Sequence, residues 1–570
     1  MSFLIIRRAQ ILTKHNMVFR NELRPRGKVF GLTNRQRVYI YCTMRVRLEY
    51  KAMAFLNPQE RSFSRSIVQL AYCNPFLPER IEHERTALGS DFDESQADWN
   101  LHGDKWDDHA NVTAILRRGE QLVDKLRKRL STDVKPTPEE LQLYEDLALF
   151  VLYNRFRKNL SQFIELRSKG HAPSSLATSY DRFQEMARRL LHVPRRRSIA
   201  EKEIAHLFAC FFQIKRAFHY IFRNIIGVSS PAARFRAAAW QSIFTHHMRR
   251  YRNVMYNQMA DITTLITGPS GTGKELAARA IGMARYIPFD PKKAVFAEDY
   301  LDSFHAVNLS ALSPTLIESE LFGHVHGSFT GAVKDRVGWF EDCTPTGTVF
   351  LDEIGDVDPA IQVKLLRVLQ ARVFQRIGDT TERSFRGKAI AATNRNLAEQ
   401  MHAGQFREDL YYRLCGDMIV APSLGERLRD KPEELHTLVL FVAKRLIGDE
   451  AVSLTEEAVS YIEQHIGMTY AWPGNVRELE QCVRNILIRG EYQARRQSGS
   501  PERELTRQFA EGSLTVDELI GRYCTLVYAQ TGSYQETARR LGVDRRTIKT
   551  RVDPQLLESL RSRHSGEDLD

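Results

Sequence analysis

The run Gly268-Pro269-Ser270-Gly271-Thr272-Gly273-Lys274 has the spacing of a phosphate-binding loop. Glycines let successive backbone N–H groups wrap an anion, a following helix N-terminus favours negative charge, and the lysine reaches the terminal phosphates. The next position, where a Ser or Thr hydroxyl would meet magnesium, is Glu275. Alone, the run also fits a glycine-rich structural turn. About eighty residues on, an apolar stretch beginning at Gly347 ends in Asp352 and Glu353. Asp352 is placed to hold a magnesium ion, and Glu353 to orient or deprotonate a water for phosphoryl transfer. Adjacent acids at a strand end also occur as a solvated turn. Behind a phosphate loop at this distance, the catalytic reading is the stronger one.

These side chains need a scaffold that puts loop and carboxylates at the ends of neighbouring strands. Residues 261–267 read as a buried strand running into the loop, and Glu275 opens a helix-forming run. From about Gly227, short apolar runs alternate with helical patterns, as in an α/β domain. Before it, the chain is helical in pattern. Leu143, Leu147, Phe150 and Val151 recur at helical spacing. A second, aromatic stripe runs through Ile204, Leu207, Phe208, Phe211, Phe218, Ile221 and Phe222, and Ser198 with Glu201 predicts its capping box. Both stripes read as core. Stretches near residues 91–108 and 135–138 read as loops. The expected organisation is multidomain: a basic extension over 1–52, a helical regulatory region over 53–226, an α/β P-loop ATPase core over 227–420, a helical lid over 421–490, a linker over 491–512 and an all-α C-terminal domain over 513–570.

The segment Gly327-Ser328-Phe329-Thr330-Gly331-Ala332 resembles the GAFTGA loop of bacterial enhancer-binding proteins, the AAA+ activators of sigma-54 RNA polymerase, and it follows a Glu318 to His324 stretch as in that family. The resemblance spans roughly 227–489. It takes in the phosphate loop, where the family commonly has Glu after the Lys, Ala392-Thr393-Asn394 (sensor I), Phe406 to Arg413 (arginine fingers) and Trp472 to Arg477 (sensor II). It implies ATP and Mg2+ as cofactors, bound by residues 268–275 and by Arg477 of the same subunit. Arg407 and Arg413 are implied to reach the γ-phosphate of a neighbouring subunit, which requires a ring, a hexamer in this family. Asn394 is implied to hold the attacking water or γ-phosphate, and Asn308 to restrain Glu353. In the family the Phe and Thr of the loop, here Phe329 and Thr330, touch sigma-54. Flanking glycines suit a mobile loop presenting an exposed aromatic, and Ser328 stands where the family usually has Ala. The stretch 415–430 departs from the family's Pro-rich connector.

At the C-terminal end, Thr515 and Glu518 form a capping-box pair for a helix expected to pack through Val516, Leu519, Ile520, Tyr523 and Val527. Two shorter helices follow around a Gly542 turn, with Ala538, Leu541, Val543 and Ile548 placed to pack the corner. This part resembles the Fis-type helix-turn-helix that ends many enhancer-binding proteins. Residues 531–552 carry six basic and two acidic side chains. Arg545, Arg546, Thr547 and Lys549 would face double-stranded DNA.

Lys plus Arg exceed Asp plus Glu by 82 to 70, a formal net charge of +12. Ten of those charges fall in residues 1–52, with twelve basic side chains against Glu22 and Glu49. That start fits a nucleic-acid arm, a targeting peptide or translation from an upstream start codon, and ordinary composition from Met53 onward favours the last. With 43% hydrophobic and 27% charged residues the chain is neither disordered nor collagen-like. No uninterrupted apolar window of about 18 residues marks a membrane span. Seven cysteines lack CxxC spacing, which reads as reduced thiols in a cytoplasmic protein. The expected function is an ATP-dependent activator that remodels sigma-54 holoenzyme. Two rivals fit the same residues: an AAA+ remodeller of another protein, and a DNA-bound repressor whose oligomeric state follows ATP. The helical region departs from receiver patterns, which favours control by a ligand or partner over aspartyl phosphorylation.

Overall fold

The computed structural model describes residues 55–97, 109–131, 134–170, 176–193, 198–494 and, further on, 505, 508–509, 512–554, 556–557 and 560. The basic extension and most of the linker lie outside the described residues.

Among the described residues eight α-helices precede the sheet: α1 (Pro58–Tyr72), α2 (Glu79–Leu88), α3 (Ala110–Leu130), α4 (Pro138–Ser168), α5 (Leu176–Leu191), α6 (Glu201–Asn224), α7 (Ser230–Phe244) and α8 (Met248–Asn253). Capping boxes open α1 (Asn57 with Glu60) and α4 (Thr137 with Glu140), each satisfying two orphan donors reciprocally. The box expected from Ser198 and Glu201 does not form. Helix α6 starts one residue after Ala200, with no side-chain cap, so Ser198 sits too far upstream to reach the first-turn amides. The aromatic stripe of α6 is core as expected, with Ile204, Leu207, Phe208, Phe211, Phe218 and Ile221 buried.

A five-stranded parallel sheet follows, built from β1 (Thr264–Thr267), β2 (Phe304–Asn308), β3 (Thr348–Asp352), β4 (Lys388–Thr393) and β5 (Asp417–Val420), in the spatial order β5-β1-β4-β3-β2. Alternation along the strands divides the interior in two. Ile266, Phe350, Ile390, Ala392 and Ile419 join the core that holds α6, α7 and α9 (Lys274–Gly282). Leu265, Val349, Leu351, Ala389 and Ala391 join the core under α10 (Pro314–Phe322), α11 (Pro359–Ala371) and α12 (Glu408–Leu414). Both faces are thus covered, as a parallel sheet requires.

The first of these cores is continuous from Phe55 to Ala421, so the helical segment and the sheet share one interior. Polar bonds reinforce the junction. Arg216 of α6 donates from Nη1 to Met283 O at 2.9 Å and from Nη2 to Arg285 O, and Gln213 Nε2 donates to Ala284 O at 2.9 Å. These carbonyls directly follow the C-terminal end of α9, the helix that begins at the phosphate loop, and the Arg216 cation there complements its dipole.

Four further helices, α13 (Leu424–Asp430), α14 (Glu434–Ile447), α15 (Ala451–Tyr461) and α16 (Asn475–Arg489), follow in the stretch expected to be the lid, the name used for them below.

The second unit is a three-helix cluster: α17 (Val516–Thr531), α18 (Tyr534–Leu541) and α19 (Arg545–Arg551). The Thr515/Glu518 capping box is present. Gly532 and Gly542 close α17 and α18 in the left-handed conformation, which positive φ leaves to glycine. Cys524, Ala538 and Ile548 make the centre, with Leu541 beside them. Part of the expected packing face of α17 is outside instead: Val516, Ile520 and Tyr523 are exposed, because α17 turns Cys524, Thr525 and Val527 inward; at the corner, Val543 is exposed as well. No helix among the described residues is long and apolar enough to cross a membrane.

Candidate nucleotide site

The phosphate loop leaves the C-terminal end of β1, and the paired carboxylates leave the C-terminal end of β3 two strands away, the edge where open α/β sheets bind ligands. A cavity of about 310 Å³ lies over residues 270–276 and is bordered by Asp352, Glu353 and Arg477. Gly271 and Gly273 take φ of 77° and 91°. A Cβ on Gly271 would also sit 2.3 Å from Gly474 O, so the loop passes the lid where only glycine fits.

Lys274 Nζ donates to Gly268 O at 3.0 Å and Pro269 O at 3.1 Å, holding its charge within the loop. Burial lowers the pKa of its ammonium, and the Glu353 and Asp352 carboxylates oppose the shift. Burial raises the pKa of Asp352, and adjacent Glu353 raises it further. Two carboxylates beside one lysine and a row of amides fit a polyphosphate with a divalent cation, which would relieve that repulsion. Glu275 borders the same cavity, is exposed and pairs with Arg279 at 3.4 Å.

Glu353 has φ 54° and ψ 48°, a left-handed conformation costly for a non-glycine residue and typical of functional sites. Its Oε2 accepts from Asn394 N at 3.2 Å, just past β4. Asn394 and Glu353 therefore meet through the Asn394 backbone. The expected restraint by Asn308 is not made in this arrangement. Asn308 pairs with Asp352 in strand register, but its Oδ1 accepts from Ser310 N (3.0 Å) and Oγ (2.9 Å), the Asx turn that a strand-terminal Asn favours.

Neither Arg407 nor Arg413 lines the cavity. The exposed Arg407 guanidinium makes a two-bond fork with Asp409 (3.0 and 2.7 Å), and Arg413 Nε donates to Leu369 O at 2.7 Å. Arg477 does border the cavity, 3.5 Å from Ser270 Oγ, at the start of α16.

Residues that spacing does not reveal complete the site. Ile225, Ile226, Phe235, Leu438 and Phe441 supply an apolar wall. Arg427 Nε donates to Glu434 Oε1 at 2.5 Å, and Glu434 Oε2 accepts from Ser229 N at 2.9 Å and from Val228 N. This buried pair fixes residues 226–229 beside the lid. Gly227 is required there, since a Cβ would lie 2.2 Å from Glu434 Oε1. Asn475 ties lid to loop, donating to Ser270 O at 2.9 Å and accepting from Leu424 N at 2.8 Å. Three distant stretches supply these groups; Gly227 carried a sequence signal as a change in texture, and Asn475 lies within the Trp472 to Arg477 motif, but neither contact was marked by spacing.

The GSFTGA segment projects between the paired strands 323–324 and 336–337. Gly327 N donates to Ala332 O (2.9 Å) and Ala332 N to Phe329 O (3.0 Å), closing a tight turn with open space around both glycines. Phe329 is half-buried, not exposed as expected: the turn folds its ring edge-on to His324 at 4.9 Å. Thr330 is exposed, Ser328 is half-buried, Ala332 is buried, and Val333 is 81% exposed. In the C-terminal unit, Arg545, Arg546, Thr547 and Lys549 are all exposed along α19.

Residues 241–419 match the model of the sigma-54 interaction domain. The chain is 38% identical over 312 residues to the transcriptional regulatory protein ZraR of Klebsiella oxytoca, covering 53% of this chain and 65% of that protein. It is 45% identical over 228 residues to the Nif-specific regulatory protein of Enterobacter agglomerans, covering 40% of each. The matches thus span less than two thirds of these relatives. Among solved structures, NtrX from Brucella abortus in complex with ATP aligns over 67% of this chain and 75% of that one, at 23% identity and a TM-score of 0.36. The matched segment holds the phosphate loop, Asp352, Glu353, Asn394, Arg407, Arg413 and the GSFTGA turn, so over this part the chain is similar to the sigma-54 interaction domain and to these transcriptional regulators.

Proposed function

We propose that the protein hydrolyses ATP to remodel sigma-54 RNA polymerase holoenzyme at promoters, held on double-stranded DNA by its C-terminal unit. The observation that carries this reading is the union, in one matched α/β core, of a phosphate loop, a carboxylate pair and a projecting GSFTGA turn.

Bound Mg2+ would supply charge neutralisation on the phosphates, with Asp352 as its protein partner. Lys274 and the loop amides hold the triphosphate, and the lid closes over it through Asn475 and Arg477. Glu353 takes a proton from the attacking water at its carboxylate, oriented by the Asn394 backbone N–H. Arg407 and Arg413 lie off their own cavity, which supports a site completed by a neighbouring copy in a hexameric ring. Arg407 would exchange Asp409 for a phosphate across that interface. Phe329, freed from His324 by rotation at Gly327 and Gly331, would meet sigma-54 together with Thr330. Arg545, Arg546, Thr547 and Lys549 would contact DNA from α19.

The test is capture. Full-length protein, sigma-54 holoenzyme and ADP–aluminium fluoride should form a stable complex that Phe329→Ala or Thr330→Ala abolishes. Failure of the wild type to be captured, with hydrolysis intact, would favour a remodeller of another protein. DNA binding with ATP altering only assembly would favour the repressor.

A further inference from the structure

The nucleotide cavity joins the phosphate loop and carboxylate pair to the apolar wall of Ile225, Ile226, Phe235, Leu438 and Phe441. With the phosphates on the loop, that wall is left for the flat, largely apolar base. Which base it takes then depends on the hydrogen-bonding groups beside the wall that are still free.

The backbone next to the wall is already engaged. Arg236 Nη1 donates to Ile225 O and to Gly227 O, both at 3.0 Å, and Arg427 Nη2 donates to Ile226 O. Ile225 N donates to Ile221 O at 2.9 Å, and the amides of Val228 and Ser229 donate to Glu434. Every carbonyl from Ile225 to Gly227 thus holds a cationic donor, and a base amino group finds no unengaged acceptor among them.

Asn224, the last residue of α6, also borders the cavity and is half-buried. Its Nδ2 donates to Tyr220 O at 2.8 Å, one turn back along the helix. That bond sets which way round the amide stands. The nitrogen is held on the helix, and Oδ1 is left as an acceptor without a partner among the described residues. An acceptor selects a donor. Adenine offers a 6-amino group, whereas guanine offers a 6-oxo group whose lone pairs would face those of Oδ1. Away from the phosphate loop and its carboxylates, the other acceptor side chain on the cavity is Glu480 of α16, which already pairs with Arg445 at 2.9 Å.

We propose that Asn224 is the base-selecting residue of this site, accepting the 6-amino group of adenine at Oδ1. The proposal rests on the ATP reading above. Calorimetric titration of the full-length protein with ADP and with inosine diphosphate tests it without hydrolysis. The inosine nucleotide carries a 6-oxo group and a hydrogen on N1. The wild type should bind ADP about tenfold or more tightly than inosine diphosphate, the scale of one hydrogen bond made in one case and opposed in the other. Asn224→Leu should bring the two affinities to within about threefold, by weakening ADP and leaving inosine diphosphate nearly unchanged. Asn224→Asp keeps an acceptor oxygen and should keep the preference, and so should Glu480→Gln. A structural role alone would weaken both nucleotides alike and leave their ratio unmoved. Equal wild-type affinities, or an undiminished preference in Asn224→Leu, would overturn the assignment. Loss of the preference in Asn224→Asp would trace it to the Tyr220 bond, and loss in Glu480→Gln would move it to α16; either result overturns it too. A wild type that binds neither nucleotide would overturn the ATP reading itself, and the assignment with it.

Discussion

Replacing Arg216 with Met probes whether the leading helices are part of the ATPase or an appendage to it. The guanidinium is buried, packs against Phe212 (5.1 Å) and Tyr300 (5.0 Å), and bonds two backbone carbonyls at the end of α9. Methionine keeps most of the volume, so the cavity cost is small. What is lost is two hydrogen bonds from a charged donor, each about 1.5–3 kcal/mol, and two buried carbonyls are left short of a donor. Relief of burying a lone cation, whose pKa burial lowers to about 10, returns part of that. The net loss should be about 2–4 kcal/mol. That is a large fraction of the roughly 5–15 kcal/mol that holds a typical domain. Urea denaturation of full-length Arg216→Met should show a lower midpoint at an unchanged slope, and a fluorescent ATP analogue should bind several-fold more weakly as α9 loses its C-terminal anchor. Gln213→Leu should do the same to a smaller degree. Wild-type stability together with wild-type nucleotide affinity in Arg216→Met would refute the claim that α6 braces the phosphate loop.

Glu353→Gln should lower ATP hydrolysis by about 10²–10⁴-fold while leaving nucleotide binding in place, read by single-turnover hydrolysis beside an equilibrium titration. Burial pushes the Lys388 ammonium down to about 7, whereas an unfolded lysine titrates near 10.4. Between those values the unfolded chain binds more protons than the folded one, so this group makes stability rise with pH, by at most about 1.4 kcal/mol per unit, and adds no slope below pH 7. Lys388→Met should flatten that rise, and parallel wild-type and variant curves through mildly alkaline pH would contradict it. Arg546→Ala should weaken DNA binding and, if the side chain meets a phosphate, reduce the salt slope by about one; unchanged affinity would move the DNA contact off α19.

The chemistry was more legible than its packing. A phosphate loop announces itself because consecutive residues do the work, and Gly271, Gly273 and Lys274 occupy the places their types require. The alternation of Leu265 and Ile266 between two cores likewise follows from strand period. Spacing gave no sign of the Arg427–Glu434 clamp, whose partners at 226–229 lie some two hundred residues away. Nor did it show that Phe329 would rest on His324, since a loop between glycines reads as free until its turn bonds are known. Helix α6 is the instructive case. Its hydrophobic stripe was plain, but spacing does not mark Gln213 and Arg216, polar residues in an apolar helix, as donors to the carbonyls of 283–285.

A nucleotide-driven push by the GSFTGA turn is the central step of the proposed function, and promoter melting reads it directly. Permanganate reactivity of a sigma-54 promoter, with holoenzyme and full-length protein, should appear with ATP and the wild type. It should be absent with Glu353→Gln, and absent with Phe329→Ala even though that variant still hydrolyses ATP. Melting by Phe329→Ala at the wild-type rate, or melting by the wild type without a hydrolysable nucleotide, would contradict the account.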